Sequence, residues 1–204
     1  MRSVRSFAIA LLWSGPFLVQ PVLAQHPGRS AIGLKAAALI STNHAATLQY
    51  DPVPGAAAGV YFPLWCGNRF ELQPELLFSW QGAGFSLGER ERQVARYYYL
   101  QLPLSAKVYL TNSLNLQGGV QGSRLLHAQV NGEDATEDYR KFEVGFNSGL
   151  GLDLARGIDL CLRYYSGLTP ILVGDDAIFP TNRTVQFSVG YRMSRVGGRT
   201  RFSK

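Results

Sequence analysis

The sequence predicts an all-β protein, an eight-stranded antiparallel up-and-down barrel whose strands cross a membrane. Three observations predict it. First, the stretch from Lys141 to Leu154 alternates with period two: Phe142, Val144, Phe146, Leu150, Leu152 and Leu154 share one row, broken only by Ser148. Glu143, Gly145, Asn147, Gly149, Gly151 and Asp153 make the other. Period two is the signature of a strand with one apolar face. The stretch exceeds the about 5–6 residues usual in soluble strands and suits a tilted membrane strand of about 9–11 residues. Second, the three glycines in its polar row make sense where side chains crowd, inside a narrow barrel, and not where the row faces water. Third, the same alternation recurs along the chain between connections that are alternately long and short.

The elements follow in order. Residues 1–24 read as a secretory signal peptide: Arg2 and Arg5 open it, Phe7 to Trp13 are its apolar centre, and Val22-Leu23-Ala24 is a small-residue cleavage site before Gln25. Later in the chain no run approaches 18 continuous apolar residues, which excludes a helical span. Strand one is Ala31 to Ile40, with Lys35 on its polar row, and the loop Ser41–Pro54 follows. Strand two is Gly55 to Trp65, closed by a turn at Cys66-Gly67-Asn68. Strand three, Phe70 to Gln81, sets Phe70, Leu72, Leu76, Phe78 and Trp80 against Glu71, Gln73, Glu75, Ser79 and Gln81, with Leu77 the apolar exception.

After the charged loop Gly82–Arg96, strand four (Tyr97 to Leu110) sets a leucine row against Gln101, Ser105 and Lys107. Thr111-Asn112-Ser113 turns into strand five, Leu114 to Ala128, and the acidic loop Gln129–Arg140 leads to strand six, the stretch described first. Ala155-Arg156-Gly157 turns into strand seven, Ile158 to Leu168, with Asp159, Cys161, Arg163 and Tyr165 on one row. The loop Thr169–Asn182 precedes strand eight, Arg183 to Met193, where Gln186, Ser188, Gly190 and Arg192 face inward. Residues 25–193 thus form the barrel and 194–204 a basic tail.

Short turns alternating with long loops match outer-membrane barrels, in which the turns are periplasmic and the loops extracellular. Trp80, Tyr97, Tyr98 and Tyr99 at one end, and Trp65, Phe70, Tyr109 and Tyr191 at the other, read as interfacial girdles. Pro74 and Pro103 speak against closure, because proline removes a ladder donor and belongs on edge strands.

The net charge of +6 is an effect of the ends. Without Arg2 and Arg5 there are 18 basic against 14 acidic residues, and Arg195, Arg199, Arg201 and Lys204 lie in the tail, so residues 25–193 carry 14 of each sign. A neutral body argues against a nucleic-acid partner, which calls for a basic face.

The proline-bearing segments carry a resemblance. Leu72-Gln73-Pro74-Glu75-Leu76-Leu77-Phe78-Ser79 and Tyr99-Leu100-Gln101-Leu102-Pro103-Leu104-Ser105-Ala106-Lys107 resemble the PorT-like outer-membrane β-barrel family of Bacteroidetes-type bacteria. Gly33-Leu34-Lys35-Ala36 and Gly190-Tyr191-Arg192 are similar to it as well. The resemblance implies a small outer-membrane barrel, in a family with one branch implicated in protein secretion. This chain departs from the family pattern in ending on a basic tail after Met193 instead of an aromatic terminus.

For chemistry, the inward row collects Lys35, Glu71, Glu75, Lys107, Glu143, Asp153, Asp159, Arg163 and Arg192. Such charges must pair, since isolated ones in a dry interior are very costly. They form either an ion path or a structural polar core; an eight-stranded barrel is just filled by its side chains, which favours the core. Glu89, Arg90, Glu91, Arg92 and Arg96 crowd one loop and are the candidate interaction site, Arg being suited to phosphate or carboxylate. Cys66 and Cys161 are a candidate disulfide on the oxidising periplasmic side, with no metal-ligand spacing. His26, His44 and His127, with Ser86, Asp51, Asp175 and Asp176, offer catalytic residue types but no spacing that holds them together.

The expectation is a non-enzymatic outer-membrane protein in a structural or interaction role, without cofactor or metal. Its partners would be membrane lipid and a surface or secretion-system protein, and it would be a monomer. The alternative is a secreted, soluble, lipocalin-like barrel binding an apolar ligand, since alternation alone does not say which row faces in.

Overall fold

A computed structural model of the chain describes residues 31–45, 50–65, 69–86, 92–173 and 180–195. Within them run β1 (Ala31–His44), β2 (Tyr50–Tyr61), β3 (Phe70–Ser86), β4 (Arg92–Tyr109), β5 (Leu114–Val130), β6 (Phe142–Asp153), β7 (Ile158–Gly167) and β8 (Thr181–Arg195). Each strand pairs antiparallel with its neighbour in sequence. β1 closes on β8 from Ala31↔Arg195 to His44↔Thr181. The result is a closed up-and-down barrel with no free edge, the only sheet form that satisfies its backbone in lipid. Residues 1–24, expected to be a signal peptide, and the tail after Arg195 lie outside the described residues.

The strands are longer than the hydrophobic pattern shows. Ser41–His44 and Tyr50–Pro54 belong to β1 and β2, and β3 and β4 extend through Ser86 and Arg92, so the two loops expected there are shorter. In these ends the inward residues Ser41, Asn43, Ala83 and Ala95 stay buried, but the residues between them do not make an apolar row. The backbone ladder continues there without alternation to announce it. The turn expected at Ala155-Arg156-Gly157 is present, with Arg156 and Gly157 at φ 65° and 85°.

Pro74 and Pro103, the two prolines that spoke against closure, each sit where one of their two ladders is interrupted. The β2–β3 ladder stops at Tyr61↔Glu75, one residue before Pro74, whose carbonyl then accepts a bond from the Phe62 amide at 2.9 Å. The β3–β4 ladder has no pairs between Pro74↔Leu104 and Leu77↔Gln101, the gap that Pro103 faces. A missing donor is therefore tolerated locally without opening the barrel.

The two rows resolve as the charges require. Leu34, Ile40, Phe78, Trp80, Leu102, Val120, Phe146, Leu150, Phe187 and Val189 are exposed on the outer wall. Lys35, Glu71, Gln73, Glu75, Gln101, Ser105, Lys107, Asn147 and Arg163 are buried inside. An apolar exterior around a polar interior excludes the soluble lipocalin-like alternative, which needs the reverse. Leu77 takes an inward position at 1% exposure.

The girdle assignment needs correction. Tyr97, Tyr99 and Tyr109 are 2%, 1% and 3% exposed and point into the lumen, because they share parity with Gln101 and Lys107. Trp80, Tyr191 and Phe70 do face outward.

The inward glycines make room for long side chains. A Cβ at Gly145 would stand 2.6 Å from the Tyr165 ring, and one at Gly190 would stand 2.5 Å from the Asp159 carboxylate.

Candidate functional site

The lumen is crossed by side-chain contacts at successive heights. Nearest the periplasmic turns, Glu71, Lys107, Tyr109, Asp153 and Arg192 meet from β3, β4, β6 and β8. Arg192 donates to Asp153 at 2.6 Å and lies 3.4 Å from Glu71, while Lys107 lies 3.4 Å from Glu71. The Tyr109 hydroxyl reaches Asp153 at 2.7 Å, and Asn115 donates to Asp153 at 3.1 Å. Beside this layer the Tyr61 hydroxyl donates to Asp159.

The next layer is centred on Glu75. Arg163 grips it with two hydrogen bonds, Nη2 to Oε1 at 2.6 Å and Nη1 to Oε2 at 3.1 Å. Lys35 donates to Oε1 at 2.8 Å, and Gln73 donates to the same oxygen at 2.6 Å. Lys35 also lies 5.0 Å from the centroid of the Tyr61 ring. Glu75 stands on β3 and Arg163 on β7, four strands away in a barrel of eight, so this pair spans the bore from wall to opposite wall. The three charged side chains are no more than 1% exposed.

Higher up, Thr184 donates to Gln81 at 3.0 Å and Asn43 to the Tyr97 hydroxyl at 3.1 Å, each bond crossing three strands. Towards the mouth the described residues form a buried apolar cluster of Ala95, Tyr97, Tyr99, Leu125, Ala128, Tyr139 and Ile171. Tyr139 and Ile171 come from the two connections flanking β6 and β7, which are tied together by the Tyr139↔Leu172 bridge. The Tyr97 and Tyr139 rings pack at a 60° tilt, 5.0 Å between centroids.

All nine charged residues expected inside are there. Seven of them fall into ion-paired groups, Glu71 and Asp153 with Lys107 and Arg192, and Glu75 with Lys35 and Arg163, while Asp159 is held by the Tyr61 hydroxyl. The ninth is Glu143, which is 3% exposed. Its Oε1 accepts from the Tyr165 hydroxyl at 2.9 Å, and no cation pairs with it among the described residues. Parity on β4 placed Tyr97 and Tyr99 inward, so that part of the cap had a sequence signal. Tyr139 and Ile171 lie in loops, where no periodicity marks them.

The loop candidate is divided. Glu89, Arg90 and Glu91 lie outside the described residues, whereas Arg92 pairs with Ser86 and Arg96 with Gly82, so both are strand residues, not loop residues. Arg96 is exposed on the outer wall of β4. Cys161 is a buried free thiol, and Cys66, with the disulfide suggested for it, lies outside the described residues.

His26, Asp175 and Asp176 also lie outside the described residues, and His44 is exposed at the end of β1. His127 stacks on Tyr98 on the outer wall, 6.0 Å between centroids. Its Nδ1 meets the Thr136 hydroxyl at 3.1 Å and its Nε2 meets Gln129 at 2.9 Å, so both ring nitrogens are engaged. Thr136 in turn donates to Asp134 at 2.6 Å, and its hydroxyl and amide hold that exposed carboxyl below the usual carboxylate range. The arrangement pins the hairpin above β5. Among the described residues no group of three His, Cys, Asp or Glu is arranged to hold a metal.

A family model described as outer membrane protein beta-barrel domain matches residues 23–173. Among solved structures, Neisserial surface protein A (NspA) is 10% identical with a TM-score of 0.52, covering 80% of this chain and 99% of its own. OprG from Pseudomonas aeruginosa is 10% identical with a TM-score of 0.49, covering 84% and 99%. Ail, the attachment invasion locus protein of Yersinia pestis, is 12% identical with a TM-score of 0.46, covering 81% and 99%. No curated protein matches the sequence. At such identity the likeness to NspA speaks for the fold alone.

Proposed function

The chain belongs to the outer membrane protein beta-barrel domain family, small barrels of the bacterial outer membrane, and from that premise we propose that it is a non-enzymatic structural and interaction protein working through its extracellular rim. The observation that carries this reading is the Arg163–Glu75 pair, whose two hydrogen bonds of 2.6 and 3.1 Å join opposite walls. With the charged layer below and the tyrosine cap above, it leaves the barrel interior as a filled core and not as a route for solutes. The lipid-facing wall matches its solvent, and the periplasmic turns are short. Recognition then falls to the extracellular connections, held by a rigid scaffold. The partners we propose for them are a surface molecule or a protein of a secretion system, the latter by family resemblance. The engagement of both nitrogens of His127 supports the non-enzymatic reading.

Replacing residues 87–91 by a Gly/Ser linker of equal length tests the reading. The unboiled protein should keep its anomalous gel mobility and lose its cross-links to surface partners on intact cells. Cross-linking that survives the swap would place the interaction elsewhere.

A further inference from the structure

We propose that the outer wall of β4–β6 carries a binding site for phosphate groups of outer-leaflet lipid, formed by Arg96, Arg124 and Arg140. The site lies on the lipid-facing wall and goes beyond the loop reading above.

The position comes from the register. On β5 the outward row runs through Leu114, Leu116, Val120 and Gly122 to Arg124. Those ten steps rise about 25 Å at about 3.3 Å per residue and a tilt of about 40°, the height of the apolar band of an outer-membrane barrel. Arg124 therefore stands where acyl chains give way to headgroups. It pairs with Phe142 on β6 and with Leu100 on β4. Arg140 precedes Phe142 by two residues and shares its parity, one side-chain step higher. Arg96 stands one step above Tyr98 on the outward row of β4. All three arginines are exposed.

Their surroundings suit an amphiphile. Phe142, at 67% exposure, stands beside Arg124 in the ladder, and Leu126, at 46%, lies between the levels of Arg124 and Arg96. The Arg124 guanidinium sits 5.9 Å from the Phe142 ring centroid, so its stem lies along apolar surface with the charge at the boundary. Arg140 Nε donates to the Leu172 carbonyl at 3.0 Å, which orients that guanidinium.

The charge pattern points the same way. In the lumen Lys35, Lys107, Arg163 and Arg192 all pair with carboxylates. On the wall, none of Arg96, Arg124 and Arg140 enters an ion pair among the described residues. The exposed acids Glu133, Asp134, Glu137 and Asp138 lie in the hairpin just above, and Asp134 is engaged by Thr136 and His127. Arginines without carboxylate partners among the described residues, rising in steps from the top of the apolar row Leu114, Leu116 and Val120, match a lipid whose phosphates sit directly above its acyl chains. Guanidinium groups take phosphate with two parallel hydrogen bonds.

The test uses the mature barrel folded into zwitterionic nanodiscs. Binding is measured to a bisphosphorylated glycolipid, to the same lipid dephosphorylated, and to inorganic phosphate. The triple variant Arg96→Gln/Arg124→Gln/Arg140→Gln is compared with Arg156→Gln, which removes one exposed charge at a periplasmic turn. The triple variant should bind the phosphorylated lipid about a hundredfold more weakly, roughly fivefold per arginine, with its unboiled gel mobility unchanged. Arg156→Gln should stay within about twofold of the parent, and the dephosphorylated lipid should bind no better to the parent than to the triple variant. Equal binding by parent and triple variant, equal binding of both lipids to the parent, or inorganic phosphate binding as tightly as the lipid would each overturn the proposal.

Discussion

Glu75→Gln is the most informative single change in the lumen. The substitution keeps the shape of the side chain and removes one charge. In the native barrel that charge faces two cations, Arg163 through two hydrogen bonds and Lys35 at 2.8 Å. All three side chains are at most 1% exposed, so water screens none of them. Removing one partner of a buried pair costs about 3–5 kcal/mol, because the remaining charge is left uncompensated, and here two cations are left. Adding Lys35→Met removes one of the two uncompensated cations. The double variant should therefore recover about 1–3 kcal/mol relative to Glu75→Gln, a coupling of the size seen within charged networks. The assay is equilibrium urea unfolding from phospholipid vesicles, followed by tryptophan fluorescence and by the gel shift. The midpoint should fall for Glu75→Gln and rise again in the double variant at constant slope. A single-variant loss under about 0.5 kcal/mol, as for an ordinary surface site, would refute the reasoning.

Three further outcomes are expected. Glu143→Gln should be neutral or stabilising by up to about 2 kcal/mol in the same assay, because this buried carboxylate has no cation to lose. Gly145→Val should destabilise the barrel by about 1–3 kcal/mol, because its side chain would run into the Ser166 carbonyl and the Tyr165 ring, visible as a lowered urea midpoint. Leu102→Arg, at the centre of the lipid-facing row of β4, should cost about 2–4 kcal/mol in vesicles, whereas arginine at position 98, near the headgroups, should cost about 0–1 kcal/mol.

Much of the architecture is legible in the sequence because strand parity is a strict rule. Knowing that Gln101, Ser105 and Lys107 share a row fixes the side on which every other residue of β4 lies, and the same holds for the nine lumen charges. Residue type misleads where it conflicts with parity. Tyr97, Tyr99 and Tyr109 read as girdle residues because tyrosine is common at interfaces, yet their row points inward. The ends of β1 to β4 were hidden because backbone pairing needs no apolar row. Pro74 and Pro103 looked like edge signals, and only the register shows that the ladder breaks beside each of them.

Which charges meet was not legible. Glu75 and Arg163 are 88 residues apart. Their contact depends on closure of β1 on β8 and on the stagger of all the strands between them, which no local pattern encodes. The tyrosine cap likewise depends on how two connections fold over the mouth.

Planar-bilayer recording of the purified mature barrel tests the central claim most directly. A bore crossed by Arg163–Glu75, floored by the Glu71–Lys107–Asp153–Arg192 layer and capped by Tyr97, Tyr99 and Tyr139 should give no steady conductance at neutral pH. A stable ohmic channel from protein that keeps its unboiled gel mobility would contradict the account.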